Sequence, residues 1–240
     1  ASIDSKALLP KILNDVSEID TRGSILGQEL EIPVILAPIG SLQNLVTGGG
    51  ATAAIAAEGA GIMSIASSAC HPDLEDIAAA SKSPKIYQLY VRGDADWTDL
   101  KVQRAIDAGY TAFCLTVDSA VISRRERDIS KDVTPTSKPI SGYGDRIFQQ
   151  SLNWNDVKRI KDNFNIPLII KGINRADDAL KAIDHGIEVV YVSNHGGRQL
   201  DGSRSPFDQV NAIREAVGDK LEIILDGGVR RGTHVLKALA

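Results

Sequence analysis

Cysteine is scarce in this sequence, which contains only Cys70 and Cys114. Both lie in or beside apolar, strand-like runs, which favours reduced thiols over a disulfide framework and suggests a cytoplasmic protein. No apolar run is long enough to span a bilayer, and no signal peptide is visible. Basic residues are not in excess either. The formal net charge of −4 gives no reason to expect binding to nucleic acid or to an anionic membrane.

A second absence bears on the fold. No Gly-x-Gly-x-x-Gly motif follows the first predicted strand, so the fingerprint of a dinucleotide-binding sheet is missing. The chain does contain a strand–helix unit that recurs at roughly 25 to 35 residues, the spacing of crossovers in a parallel sheet. We predict strands over residues 33–40, 62–67, 85–91, 111–118, 167–172, 187–192 and 221–228. We predict helices over residues 50–58, 73–80, 95–108, 154–163, 176–185, 206–217 and 233–240.

The predicted strands are continuous apolar runs rather than alternating ones, which indicates that both faces of the sheet are covered. Two architectures meet this condition, a closed (β/α)8 barrel and an open doubly wound sheet. Polar residues collect at the carboxyl ends of the predicted strands, and in a barrel those ends converge on one mouth. We therefore predict a single α/β domain over residues 1–240, a (β/α)8 TIM barrel of which seven units are visible.

Two stretches do not follow the strand–helix repeat. Residues 1–30 are predicted to be a polar lead-in without a strong period. Residues 119–152 hold a charge cluster followed by a stretch rich in Ser, Thr, Pro and Gly. Because this is too long for an ordinary strand–helix loop, we predict an inserted loop or lid after the fourth strand.

The segment Ser193-Asn194-His195-Gly196-Gly197-Arg198-Gln199 follows the sixth predicted strand. It places a histidine and an arginine on a loop at the carboxyl end of that strand. The two glycines remove side-chain bulk, so a flat molecule could lie against the backbone. A histidine near an arginine is suited to taking a proton from an anionic substrate that the arginine holds. The alternative is a histidine that caps a turn beside a solvated arginine.

Two further positions suggest chemistry. Lys171 ends the fifth predicted strand inside an apolar run, and a buried lysine is costly unless it is paired or used. It could form a Schiff base, act as a fixed cation beside an electron-rich ring, or extend to solvent from the strand end. Asp226-Gly227-Gly228 with Arg230 could bind an anion through backbone N–H groups and a guanidinium, at a common phosphate position of barrels. Solvated arginines after a glycine turn are the alternative.

The segment from Ser193 to Gln199 resembles the signature loop of the FMN-dependent 2-hydroxy-acid oxidases and dehydrogenases, the family of glycolate oxidase and L-lactate oxidase. The resemblance covers nearly the whole chain. It implies an FMN cofactor, a small 2-hydroxy acid substrate, an electron acceptor (oxygen, a quinone or a cytochrome) and a homo-oligomer, a tetramer. It implies no metal. It also places an eighth strand after Ala240 and a helical segment before Ala1, so we expect a chain truncated at both ends.

Individual roles follow from the same resemblance. His195, Asp118, Tyr90 and Arg198 match catalytic positions, with Asp118 as the partner of the histidine. Arg125 joins Arg198, Tyr90 and His195 in binding the substrate. Ser68 replaces a bulky aromatic of the glycolate oxidase-like members, which suggests a roomier pocket and an acid other than glycolate. The matching FMN-binding positions are Pro38, Ile39, Gly40, Gln88, Thr116, Lys171, Ser193, Asp226, Gly227, Gly228 and Arg230.

The function predicted from these residues is oxidation of a lactate-like (S)-2-hydroxy acid to the 2-oxo acid. His195 is the base for the hydroxyl proton, and the α-hydrogen leaves as a hydride to flavin N5. One alternative is a class I aldolase-like lyase that uses Lys171 as its Schiff base. Another is a binding module or a catalytically dead barrel fragment, because a barrel without its eighth strand could fail to hold FMN.

Overall fold

The computed structural model describes residues 2–121, 126–132 and 147–240. Its centre is a curled sheet of seven parallel strands that pair in chain order, with the first and the last of them at the two edges. This α/β arrangement confirms the predicted class, and the eighth strand of the predicted barrel is not among the residues described. The strands are β3 (Ile35–Leu36), β4 (Met63–Ser67), β5 (Lys85–Leu89), β6 (Ala112–Thr116), β7 (Leu168–Ile173), β8 (Val189–Val192) and β9 (Glu222–Leu225).

Helices lie between the strands and cover the outer face of the sheet. Their first turns are set by local signals: Asp94 accepts a hydrogen bond from the Trp97 backbone, Asn153 forms a capping box with Asp156, and Pro206 begins its helix. The helices are α1 (Gly49–Gly59), α2 (Leu74–Ala79), α3 (Ala95–Asp107), α4 (Glu126–Ser130), α5 (Ile147–Ser151), α6 (Trp154–Asn163), α7 (Ala176–Asp184), α8 (Pro206–Val217) and α9 (Gly232–Leu239).

The sheet has two hydrophobic cores: an inner core inside the curled sheet, and an outer core between the sheet and the helices. Successive residues of a strand alternate between them. In β5, Ile86 packs in the inner core, whereas Tyr87 and Leu89 pack against the helices. In β8, Tyr191 is inner and Val190 is outer. This alternation follows from the two-residue period of a strand, and burial on both sides explains the unbroken apolar runs in the sequence.

The prediction for residues 1–30 was wrong, because this stretch contains an antiparallel hairpin of β1 (Gly23–Ile25) and β2 (Gln28–Leu30). Ile25 and Leu30 are only 6% and 4% exposed, and they join the inner core. The backbone N–H of Leu26 donates to Glu222 Oε2 at 2.7 Å, at the amino end of β9. The hairpin therefore covers the amino end of the sheet and leaves the carboxyl end for the site.

The predicted insertion, residues 119–152, lies partly outside the described residues. Its described parts include α4 and α5, and a lid function stays a prediction. The first predicted strand, residues 33–40, is also shorter than expected, because β3 pairs with β4 through Ile35 and Leu36 alone. Within the described ranges, no helix has the length and apolarity needed to cross a membrane.

Candidate active site

Six polar side chains form one layer at the carboxyl end of the inner face. Each of them follows inner-core residues on its own strand, in step with the two-residue period. Gln88, for example, comes two positions after Ile86, and Ser193 comes two positions after Tyr191. The sequence thus places polar groups where the barrel core ends and the mouth begins. The six are Ser67, Gln88, Thr116, Lys171, Ser193 and Asp226.

Three members of this layer form one hydrogen-bonded chain. Ser67 Oγ donates to Gln88 Oε1 at 2.8 Å, and Gln88 Nε2 donates to Thr116 Oγ1 at 2.8 Å. All three side chains are buried. Since a buried amide must find partners for both ends, these two bonds fix which end of Gln88 faces which strand.

The other three members form a charged cluster. Lys171 Nζ donates to Ser193 Oγ at 2.8 Å, and Ser193 Oγ donates to Asp226 Oδ2 at 2.9 Å. Lys171 Nζ also lies 3.6 Å from Asp226 Oδ2. This pairing explains how a lysine that is only 5% exposed is tolerated in the core. Asp226 Oδ1 is buried and accepts no hydrogen bond from the residues that the structure describes, so it can accept one from a ligand.

The interior beneath this layer is apolar and buried. Burial raises the pKa of the Cys114 thiol to about 12. Burial also raises the pKa of the Tyr191 phenol, and the negative charge of Asp226 adds to the effect. Charges at the mouth therefore act next to a medium of low polarity, where electrostatic interactions are strong.

His195 lies between two polar side chains from neighbouring loops. Its Nδ1 is 3.0 Å from Asp118 Oδ1 and 3.2 Å from Oδ2, and its Nε2 is 3.1 Å from the Tyr90 hydroxyl. A carboxylate can only accept, so the ring proton belongs on Nδ1 and the Nε2 lone pair faces Tyr90. This is the arrangement of a general base held by a carboxylate.

The loop that carries His195 has an unusual backbone. His195, Gly196 and Gly197 all have positive φ, at 60°, 68° and 74°. Glycine adopts this region freely, but a histidine there is strained and must be held by its surroundings. Asn194 Oδ1 accepts the N–H of Gly197 at 3.0 Å, and the N–H of His195 donates to Ser193 Oγ at 3.2 Å.

Asp118 reaches the histidine because of a glycine on the next strand. Gly172 has a φ of +113°, at a register shift between Lys171 and Ile173. A Cβ on Gly172 would lie 2.6 Å from the Asp118 Cβ, which is closer than side chains approach. Any larger residue at position 172 would therefore displace Asp118.

The predicted anion site lies in the turn between β9 and α9. Gly227 and Gly228 have φ of 98° and 83°, which turns the backbone where a side chain would be strained. The Arg230 guanidinium is exposed, while its backbone N–H donates to His234 Nδ1 at 3.2 Å. The turn directly follows Asp226, so it lies next to the charged cluster of the mouth.

The remaining predicted site residues that the structure describes lie in loops. Pro38, Ile39 and Gly40 lie in the loop after β3, at the mouth, with Ile39 and Gly40 exposed. Arg198 lies just past the 3-10 turn of His195–Gly197, and its side chain is exposed. Arg125 lies outside the described residues.

Two buried polar residues of the mouth were not predicted. Ser67 could have been found from the two-residue period of β4, because it faces the same side as Met63 and Ile65. Gln149, on α5, accepts the N–H of Val91 at 2.8 Å and donates to the Thr116 carbonyl at 2.9 Å. No sequence signal marks Gln149, since its two partners are backbone groups of other segments.

Comparison with known proteins identifies a family. Residues 1–240 match the FMN-dependent dehydrogenase family. The chain is 39% identical to the L-lactate oxidase of Nostoc sp., over 97% of this chain and 71% of that protein. It is 38% identical to human 2-hydroxyacid oxidase 2, over 97% of this chain and 70% of that protein.

The fold comparison leads to the same group. The structure of a lactate oxidase from Pediococcus acidilactici superposes with a TM-score of 0.92 at 34% identity, over 99% of this chain and 68% of that one. The parallel α/β sheet of this chain is thus shared with that structure. The chain belongs to the FMN-dependent dehydrogenase family of 2-hydroxy-acid oxidases and dehydrogenases.

Proposed function

We propose that this chain oxidises a lactate-like (S)-2-hydroxy acid to the corresponding 2-oxo acid with FMN as its cofactor. The observation that carries the proposal is the position of His195, whose Nδ1 is held by Asp118 and whose Nε2 faces the Tyr90 hydroxyl. Such a histidine at the mouth of a barrel is suited to removing a hydroxyl proton.

The donor set at the mouth fits FMN. Lys171, Gln88, Thr116 and Ser193 present an ammonium, an amide and hydroxyls, which match the polar edge of an isoalloxazine ring. The buried Oδ1 of Asp226, which has no partner within the described ranges, is suited to accept a ribityl hydroxyl. Gly227, Gly228 and Arg230 would hold the phosphate, and the backbone of Pro38, Ile39 and Gly40 would pass close to the ring. When bound, FMN supplies the acceptor for the hydride that leaves the α-carbon of the substrate.

His195 Nε2 accepts the substrate's hydroxyl proton in this proposal. The imidazolium that results is stabilised by the Asp118 carboxylate, which already faces Nδ1 and keeps the ring oriented. The Tyr90 hydroxyl lies within hydrogen-bond reach of Nε2, so it can bind the same substrate oxygen. The proton of the substrate hydroxyl is thus transferred to His195 Nε2.

Arg198 and Arg125 would bind the substrate carboxylate. A guanidinium can donate two parallel hydrogen bonds to a carboxylate, which orients the acid as well as binding it. Arg198 is three residues after His195, on the same loop after β8. Both roles rest on the family resemblance.

Lys171 is better suited to stabilise negative charge than to act as a nucleophile. A Schiff-base lysine must lose its proton, whereas Lys171 donates to Ser193 and lies 3.6 Å from the Asp226 carboxylate. Both partners of Lys171 therefore belong to the chain itself, and no observation supports the aldolase alternative. With FMN bound, a fixed cation at this place would stabilise negative charge on the ring, a contribution of several kcal/mol in comparable sites.

Several finer features complete the proposal. The smaller Ser68 favours an acid bulkier than glycolate. Oxygen is the acceptor that the names of the two oxidase relatives support, with a quinone or a cytochrome as the alternatives. A tetramer and a cytoplasmic location remain predictions from the family resemblance and from the two buried thiols.

The proposal is tested by the absorption spectrum of the purified protein after incubation with FMN and desalting. A retained yellow chromophore that bleaches with L-lactate in the absence of oxygen is the expected result. Mandelate and glycolate serve as the bulky and the small member of the acid panel. A colourless protein would favour a catalytically dead barrel fragment, and a yellow protein that no 2-hydroxy acid bleaches would rule out the proposed oxidation.

A further inference from the structure

We propose that Ser119 and Gln199 are positioning residues that hold Asp118 against His195, an inference that rests on the proposed function of His195 as the base. Neither residue belongs to the polar layer of the mouth. Both lie on loops after strands, Ser119 after β6 and Gln199 after β8, and β7 separates those two strands in the sheet.

The contacts form one continuous relay. Gln199 Nε2 donates to Ser119 Oγ at 2.8 Å, and Ser119 Oγ donates to Asp118 Oδ1 at 3.1 Å. That same Oδ1 is the atom that faces His195 Nδ1 at 3.0 Å. The side chains involved are partly buried, so water does not compete freely for these bonds.

The direction of the relay is fixed by the chemistry of its members. The Gln199 amide nitrogen can only donate, so it occupies a lone pair of the Ser119 hydroxyl. The Asp118 carboxylate can only accept, so the single Ser119 proton points to it. Asp118 Oδ1 therefore receives two donors, Ser119 and His195, and the carboxylate is held from two sides.

The relay also closes a ring through the strained loop. Gln199 is four residues after His195, and the intervening backbone includes two glycines at positive φ. Because glycine restricts the backbone little, a tie at Gln199 limits how far this run can shift the imidazole. The bond from Gln199 to Ser119 connects the far end of the loop to the carboxylate that the histidine uses. We infer that the relay keeps the base in its reactive position.

The experiment compares FMN-loaded Ser119→Ala, Ser119→Thr and Gln199→Leu with the wild type. We expect Ser119→Ala to lower kcat about tenfold, the usual effect of losing one hydrogen bond to a charged group, with KM changed less than about twofold. Ser119→Thr keeps the hydroxyl and should restore most of kcat. Gln199→Leu should also lower kcat, and the double variant should be no slower than Ser119→Ala, because both changes break one relay. Ser203→Ala is the matched serine control in the same loop region.

A second readout does not depend on turnover. The protein has four histidines, so the ring N–H of His195 can be followed by NMR in 15N-histidine-labelled protein. In wild type the Nδ1 proton should exchange slowly with water, and in Ser119→Ala and Gln199→Leu it should exchange faster. Unchanged kcat and unchanged proton exchange in both variants would overturn the relay. If the wild type oxidises no 2-hydroxy acid, the proposed function fails, whereas the exchange measurement still decides the relay.

Discussion

His195 Nδ1 lies 3.0 Å from Asp118 Oδ1, although the two residues are 77 positions apart in the chain. The parallel sheet brings them together because β6 and β8 end at the same edge.

If this carboxylate holds the base, Asp118→Asn should lower kcat by roughly 10²- to 10⁴-fold, the range of a general base contribution, while FMN stays bound. Steady-state turnover with L-lactate measures this. Asp201→Asn is the control, and equal rates for both variants would contradict the role of Asp118.

The turn after β9 predicts a different phenotype for Arg230. Arg230→Ala should weaken FMN retention strongly and alter substrate KM little, because in the proposed function the guanidinium holds the phosphate and not the acid. Equilibrium dialysis with FMN measures retention. Arg22→Ala is the matched control, since Arg22 is paired with Asp20 outside the mouth. Retention that is equal in the two variants would place the phosphate elsewhere.

Lys171 separates the oxidase from the aldolase alternative. Lys171→Met removes the ammonium but keeps most of the side-chain volume, and kcat should fall by about 10²-fold or more. Borohydride treatment of the wild type with pyruvate should leave Lys171 unmodified in a peptide mass map. A stable adduct on Lys171 would instead support a Schiff base.

Gln149 predicts a loss of stability. It is 6% exposed and bonds to the backbone of Val91 and Thr116. Gln149→Leu leaves both buried backbone groups without partners, so the free energy of unfolding should fall by about 2–4 kcal/mol. Urea unfolding measures this change. The exposed neighbour supplies the control, and Gln150→Leu should be close to neutral.

The thiols give a pH prediction. Burial raises the pKa of Cys114 to about 12, and burial also raises the pKa of Cys70. Deprotonation is therefore shifted to higher pH, and only the thiolate reacts with iodoacetamide. At pH 8 the folded protein should be labelled at neither cysteine, and labelling should appear in urea. Rapid labelling of Cys114 in the native state would show that the interior is accessible to solvent.

The residues that could be predicted from the sequence are those whose signal is local. Unbroken apolar runs and the recurring strand–helix spacing were sufficient for the parallel sheet, and α6 and α8 begin and end where predicted. The position of His195 after a strand also followed from local sequence. The assignment of Asp118 as its partner came from the family resemblance.

The features that were missed depend on contacts between distant segments. The hairpin was predicted to be a polar lead-in because Ile25 and Leu30 become buried only when they pack against the amino end of the sheet. Gln149 satisfies backbone groups of two other segments, which no periodicity records. The first predicted strand was too long, since the apolar run around Ile35 continues beyond its pairing with β4.

The central claim is that His195 is the base of a flavin-dependent oxidation. The most direct measurement is anaerobic stopped-flow absorbance of FMN-loaded wild type and His195→Gln after mixing with L-lactate. The account predicts rapid bleaching in the wild type, and in the variant an intact yellow spectrum whose bleaching is at least about 10²-fold slower. Bleaching at the same rate in both proteins would contradict it.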